Sequence, residues 1–109
     1  MLFRSGLAYS ASKGGVIALT KSVAGWLAPY GIMVNAVCPG LVLTSGGMGQ
    51  SNPNAKQIAA SVPLGQRLAE EADVVKAVLF LAADASFMTA QVLVIDGGRS
   101  ETYFAGPRK

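Results

Sequence analysis

The chain has 109 residues, of which 51% are hydrophobic and only 14% charged, and it carries a net charge of +3. That apolar content excludes a disordered segment, and the shortage of charge excludes a coiled coil rich in Glu, Lys and Arg. The basic residues are scattered rather than striped with aromatics, so no nucleic-acid partner is expected. Histidine is absent and Cys38 is the single cysteine, which leaves no internal disulfide and no metal-type cluster. A Ser-His-Asp triad cannot be built from this chain. One unpaired cysteine predicts a reducing, cytoplasmic compartment. The best apolar stretch, Val74 to Ala83, contains Lys76 and is too short for a membrane span. Arg4 and Ser5 interrupt the N-terminus at once, so no signal peptide is expected there.

The elements follow in chain order. Val16, Ile17, Leu19, Val23, Ala24 and Leu27 recur at helical spacing and predict a helix from about Ala8 to Pro29, stopped by Pro29 and Gly31. Gly14-Gly15 weakens it locally, which predicts a close approach there. Ile32 to Cys38 is a short apolar run ended by Pro39-Gly40 and reads as a buried strand. Ser45 to Asn54 is rich in Gly, Ser and Asn and reads as a loop. Ala55 to Val62 predicts a short helix, broken at Pro63-Leu64-Gly65. Glu70 to Ala83 predicts a second long helix, with Glu70, Glu71 and Asp73 in the first turn, where the helix dipole favours them. Gln91 to Ile95 reads as a second buried strand, ended by Asp96-Gly97-Gly98, and Arg99 to Lys109 forms a mixed tail. Strands separated by helices predict an α/β architecture with parallel pairing. Two strands, apolar on both faces, and long helices amount to one half of a doubly wound fold.

Tyr9 and Lys13 are four apart on the first helix, a spacing that stacks both side chains on one face. An ammonium fixed near a phenol favours the phenolate, and the positive end of a helix starting near Ala8 would act the same way. Such a Tyr can act as a general acid or base. By themselves the two residues favour a boundary Tyr beside a solvated Lys, because both residue types are common.

The surroundings of the pair resemble a known family. Tyr9-Ser10-Ala11-Ser12-Lys13-Gly14-Gly15 is similar to the active-site signature of the short-chain dehydrogenase/reductases, and Val16 to Ser22 to the helix that follows it. Ile32 to Thr44 (IMVNAVCPGLVLT) is similar to that family's strand and Pro-Gly turn. Phe80 to Ser86 and Val92 to Gly98 (VLVIDGG) are similar to its last helix and last strand. Four blocks in order span almost the whole chain, which therefore resembles the C-terminal portion of such a protein.

The resemblance implies the C-terminal half of a doubly wound, parallel-sheet, NAD(P)-binding Rossmann fold, with residues 1–109 forming one partial domain. It implies that Tyr9 is the catalytic acid/base and that Lys13 is its helper, holding the nicotinamide ribose hydroxyls. It assigns Pro39, Gly40, Val42 and Thr44, together with Tyr9 and Lys13, to NAD or NADP binding, and Ser45 to Val62 to a substrate lid. The substrate class is a small-molecule carbonyl/alcohol pair. Cys38 and Trp26 read as packing residues, and Asp96-Gly97-Gly98 as a turn that shapes the chain.

The sequence also departs from the family pattern. Thr89-Ala90-Gln91 has Ala where the family usually has Gly, which predicts a strained residue if the backbone there takes a positive φ. No glycine has the strand–turn–helix context of a pyrophosphate site. Ser5 is too close to Tyr9 to serve as the family's carbonyl-polarising Ser. The dinucleotide-binding half is thus expected to be absent from these residues. Two functions are compatible with that: an NAD(P)-dependent oxidoreductase represented by its C-terminal part, or a truncated non-catalytic module acting through self-association or with a complementary N-terminal half. The open sheet edge and the shortage of charge predict a homo-oligomer or such a pairing.

Overall fold

The structure is a computed structural model that describes residues 2–44, 52–100 and 102, with side chains from residue 6 onward. Its elements in chain order are α1 (Leu2–Leu27), a 3-10 turn (Ala28–Tyr30), β1 (Ala36–Pro39), β2 (Val42–Leu43), α2 (Ala55–Ala60), β3 (Ala69–Glu70), α3 (Glu71–Leu79) with a π-helical turn (Phe80–Asp84), and β4 (Val92–Ile95). The chain divides into two compact units, Met1–Ala36 with Ala85–Val92, and Val37–Asp84 with Leu93–Lys109.

In the first unit, α1 begins at Leu2 rather than near Ala8. The residues upstream of Ala8 include no proline and only one glycine, so nothing there stops a helix once it has formed. At its other end Pro29 enters the 3-10 turn, and Gly31 closes it at φ +73 by donating its N–H to the Ala28 carbonyl at 2.9 Å. The apolar stripe is only partly covered. Ala24 is fully buried, Ile17, Val23 and Leu27 are half-buried, and Leu19 is 62% and Trp26 78% exposed. The close approach expected at Gly14 and Gly15 is not found among the described residues, where a Cβ at either position would meet open space.

The strand expected from Ile32 starts only at Ala36, because side chains take over the bonds before it. The Val34 N–H donates to Thr89 Oγ1 at 3.0 Å, the Asn35 amide donates to the Met88 carbonyl at 3.0 Å, and Asn35 Oδ1 accepts the Gln91 N–H at 3.0 Å. Ladder bonding begins with the Ala36 N–H donating to the Gln91 carbonyl at 2.9 Å. Ala90, inside this network, has φ +60 while its N–H donates to the Val34 carbonyl at 2.8 Å. This is the left-handed region, which disfavours any residue with a Cβ by roughly 1–2 kcal/mol. Ala90→Gly is therefore expected to stabilise the chain by about 0.5–1 kcal/mol after the added unfolded-state freedom of glycine is subtracted, measured by thermal unfolding.

In the second unit the Gly40 N–H donates to the Ile95 carbonyl at 2.9 Å. The step from Ala36–Gln91 to Gly40–Ile95 is the same length on both strands, as a parallel β1–β4 pair requires. A second parallel pair, β2–β3, aligns Val42 with Ala69 and Leu43 with Glu70. Strands of two residues leave no alternation in a sequence, so this pair had no signature to read. Helix α2 ends at Ser61, and Val62 and Leu68 are buried on either side of the turn between them. The expected helix from Glu70 is α3, continued by the π-helical turn. Most of the expected loop Ser45–Asn54, its residues 45–51, lies outside the described residues, as do 101 and 103–109 of the tail.

At the start of α3 the Asp73 carboxylate accepts bonds from Arg67 at 2.8 and 3.3 Å and from the Glu70 backbone N–H at 2.8 Å. The Arg67 bond is the largest of the causes that hold the Asp73 carboxyl down to about 2, against an ordinary 3.8, and the Glu70 N–H comes next. A carboxylate with a depressed pKa stabilises the fold above its unfolded value, and that contribution is lost as pH falls through the folded one. The Glu70 amide resonance is thus expected to report this carboxyl as a step centred near pH 2. In Asp73→Asn that acid transition is expected to be absent.

Candidate active site

Residues Tyr9 and Lys13 lie on α1 in the first unit, and the structure brings them together. Lys13 Nζ lies 5.4 Å from the centroid of the Tyr9 ring, within the range of a cation–π contact. Both side chains are exposed, Tyr9 at 64%, so the phenol and the ammonium are open to a ligand on one helix face. The backbone beneath them is fixed locally, with the Ser12 hydroxyl donating to the Tyr9 carbonyl at 2.7 Å. One sequence expectation needs correction. Because α1 begins at Leu2, Tyr9 sits about two turns inside the helix, beyond the first turn where a helix terminus acts. Lys13 is the electrostatic neighbour that the helix supplies.

Pro39, Gly40, Val42 and Thr44 lie in the second unit, at the end of β1 and along β2, the last three half-buried. Gly40 has a packing role of its own. A Cβ added there would come within 3.1 Å of Asp96 Cβ and 3.3 Å of its Cα, so the close approach of these two turns favours glycine.

Asp96-Gly97-Gly98 is a shaping turn, as its sequence suggests. The Asp96 carboxylate accepts the Ser100 hydroxyl and the N–H groups of Gly98 and Ser100, both at 2.9 Å. These bonds, the Ser100 hydroxyl foremost, hold its carboxyl below the usual range. Cys38 is a half-buried free thiol in β1.

Sequence reasoning did not single out Arg67, Ser61 or Arg99. Arg67 carries the ion pair to Asp73, and the Arg99 Nε donates to the Ser61 hydroxyl at 2.7 Å. An arginine shortly before an acidic first helical turn was the one available signal. The Ser61–Arg99 pair had none, since its partners are far apart in sequence.

No helix among the described residues is long and apolar enough to cross a membrane. A family model described as enoyl-(acyl carrier protein) reductase matches residues 2–100. The chain is 41% identical over 97 residues to an uncharacterized oxidoreductase of Thermotoga maritima, covering 83% of this chain and 38% of the relative. It is 40% identical over 95 residues to a 7alpha-hydroxysteroid dehydrogenase of Bacteroides fragilis, covering 86% of this chain and 37% of the relative. It is 41% identical over 91 residues to the 3-oxoacyl-[acyl-carrier-protein] reductase FabG of Staphylococcus aureus, covering 83% and 37%. The chain thus spans less than two fifths of the length of these curated relatives. Its helices and short parallel strand pairs are those of a partial Rossmann-like fold, and the chain belongs to the short-chain dehydrogenase/reductase family of oxidoreductases.

Proposed function

We propose that this chain carries the acid/base pair of an NAD(P)-dependent oxidoreductase that interconverts a carbonyl and an alcohol. The observation that carries the proposal is the Tyr9–Lys13 pair, a phenol and an ammonium in contact on one exposed helix face. The donor set suits the ribose end of a nicotinamide dinucleotide, because an ammonium and a hydroxyl together can bind vicinal hydroxyls. Pro39, Gly40, Val42 and Thr44 are the residues that would hold the nicotinamide end. When bound, the cofactor supplies or accepts the hydride.

In the reducing direction the Tyr9 hydroxyl passes its proton to the carbonyl oxygen, which becomes the alcohol oxygen. In the oxidising direction the Tyr9 oxygen takes that proton back. Lys13 offsets the negative charge left on Tyr9 and anchors the ribose hydroxyls. Two relatives are named for a hydroxysteroid and a 3-oxoacyl substrate, both of which carry this functional pair, and that supports the substrate class. The single free thiol supports a cytoplasmic setting.

Equilibrium titration of the protein with NADH and NADPH tests the proposal. Lys13→Met is expected to weaken binding by about tenfold to a hundredfold, the worth of charge-assisted hydrogen bonds. Unchanged affinity in that variant would contradict the role of Lys13.

A second reading concerns the 109-residue chain by itself, as a non-catalytic module that self-associates or pairs with a complementary N-terminal half. The exposure of Leu19, Trp26 and Tyr30 along the α1 region favours it, as do sheets of only two strands each. Cofactor binding by the isolated chain would reject this reading. Sedimentation is expected to show association, and a stable monomer at high concentration would also count against it.

A further inference from the structure

The second unit holds a cavity of about 230 Å³ that borders Gly40 of the proposed nicotinamide end and contains no residue of the Tyr9–Lys13 pair. Its floor is apolar, formed by Leu41, Ile58, Val62, Leu68 and Ile95. Val62 and Leu68 are among the most buried side chains of the described residues. Three cations and two carboxylates line the rest, namely Arg67, Lys76, Arg99, Asp73 and Asp96.

The hydrogen bonds divide these charges into spent and available groups. Arg67 is committed to Asp73 through both terminal nitrogens and to the Leu68 carbonyl. Asp73 in turn takes Arg67 and the Glu70 N–H, with Lys76, three residues further along α3, adding attraction from a distance. Asp96 is consumed by its own turn, through Gly98 and Ser100. Arg99 donates Nε to the Ser61 hydroxyl, which fixes the guanidinium, and neither it nor Lys76 has a carboxylate within ion-pair distance among the described residues. Asp73 is neutralised by Arg67, whereas Asp96 accepts only from uncharged donors and keeps its charge, so three cations against two carboxylates leave the lining with a net charge of +1.

We propose that the cavity binds a small amphipathic carboxylate, its aliphatic chain on the Ile58–Val62 floor and its carboxylate answering Lys76 and Arg99. An apolar floor disfavours a bare inorganic anion, and two cations with no described carboxylate partner disfavour a neutral alkyl chain. The volume limits the ligand to a short chain. This site requires neither Tyr9 nor a nicotinamide cofactor, so it stands or falls separately from the activity proposed above.

Hexanoate is the probe, with hexanol and inorganic phosphate as comparisons, and the methyl resonances of Ile58 and Val62 are the readout. Hexanoate is expected to shift those methyls saturably, with a dissociation constant on the order of 1 mM. Hexanol is expected to bind about tenfold or more weaker, and phosphate to leave the methyls unmoved. Lys76→Gln, an exposed substitution that leaves the floor intact, is expected to weaken hexanoate several-fold without affecting hexanol, and Ile58→Trp to abolish binding by filling the cavity. Equal binding of hexanol and hexanoate, no saturable shift, or indifference to Lys76→Gln would overturn the proposal.

Discussion

Tyr9→Phe is expected to lower carbonyl reduction by about 10²–10⁴-fold, the usual contribution of a positioned general acid. The substitution removes one oxygen and keeps the ring, so the contact with Lys13 Nζ at 5.4 Å from the ring centroid is retained. Because Tyr9 is 64% exposed, its hydroxyl contributes little to folding, and the unfolding temperature is expected to stay within a degree or two. Cofactor affinity should change far less than turnover, since Lys13 still carries the charge. A variant with wild-type turnover would remove Tyr9 from the chemistry. The same substitution read by thermal unfolding separates this from a loss of fold.

Gly97→Ala is expected to destabilise the chain by about 2–4 kcal/mol, for two reasons that add. Gly97 has φ +64, a conformation that a residue with a Cβ adopts only with strain. A Cβ there would also overlap the Val62 side chain, while meeting Leu64, whose N–H donates to the Gly97 carbonyl at 3.1 Å, only at ordinary contact distance. Val62 is 7% exposed, and its branched side chain can yield only by leaving its preferred rotamer toward the adjacent cavity. For a domain near this size each kcal/mol lowers the unfolding temperature by roughly 4–8 °C, so a fall of roughly 10–20 °C is expected. The neighbouring Gly98→Ala provides the comparison. Gly98 has φ +87, but its nearest contact is an ordinary 3.4 Å to the Thr102 side chain, so only the conformational part should be lost.

The parts of the fold legible in the sequence were those with a period or a stop. The stripe from Val16 to Leu27 announced α1, and Pro29 with Gly31 announced its end, because both act locally on the backbone. Ala90 was legible only through the resemblance, as a position where the family usually has glycine, and its φ is positive. What was not legible depended on partners distant in sequence. The delay of β1 to Ala36 follows from Asn35 and Thr89 bonding across more than fifty residues, which no local pattern encodes. The β2–β3 pair exists only through its register, and the approach of Gly40 to Asp96 only through tertiary packing. Of the candidate site, helical spacing alone places Tyr9 and Lys13 on one face, but their role was readable only through the resemblance. Pro39, Gly40, Val42 and Thr44 came from resemblance, and the structure adds a packing reason for Gly40.

The most direct test of the oxidoreductase chemistry is transfer of label from reduced nicotinamide to product. The protein is incubated with NADH or NADPH deuterated at the transferable position and with a carbonyl substrate, and the alcohol is analysed by mass. Deuterium on the carbinol carbon in the wild type, lost in Tyr9→Phe while cofactor binding is retained, is the expected result. Label transfer at equal rates in both proteins, or none from either cofactor while both bind, would contradict a Tyr9-dependent hydride transfer.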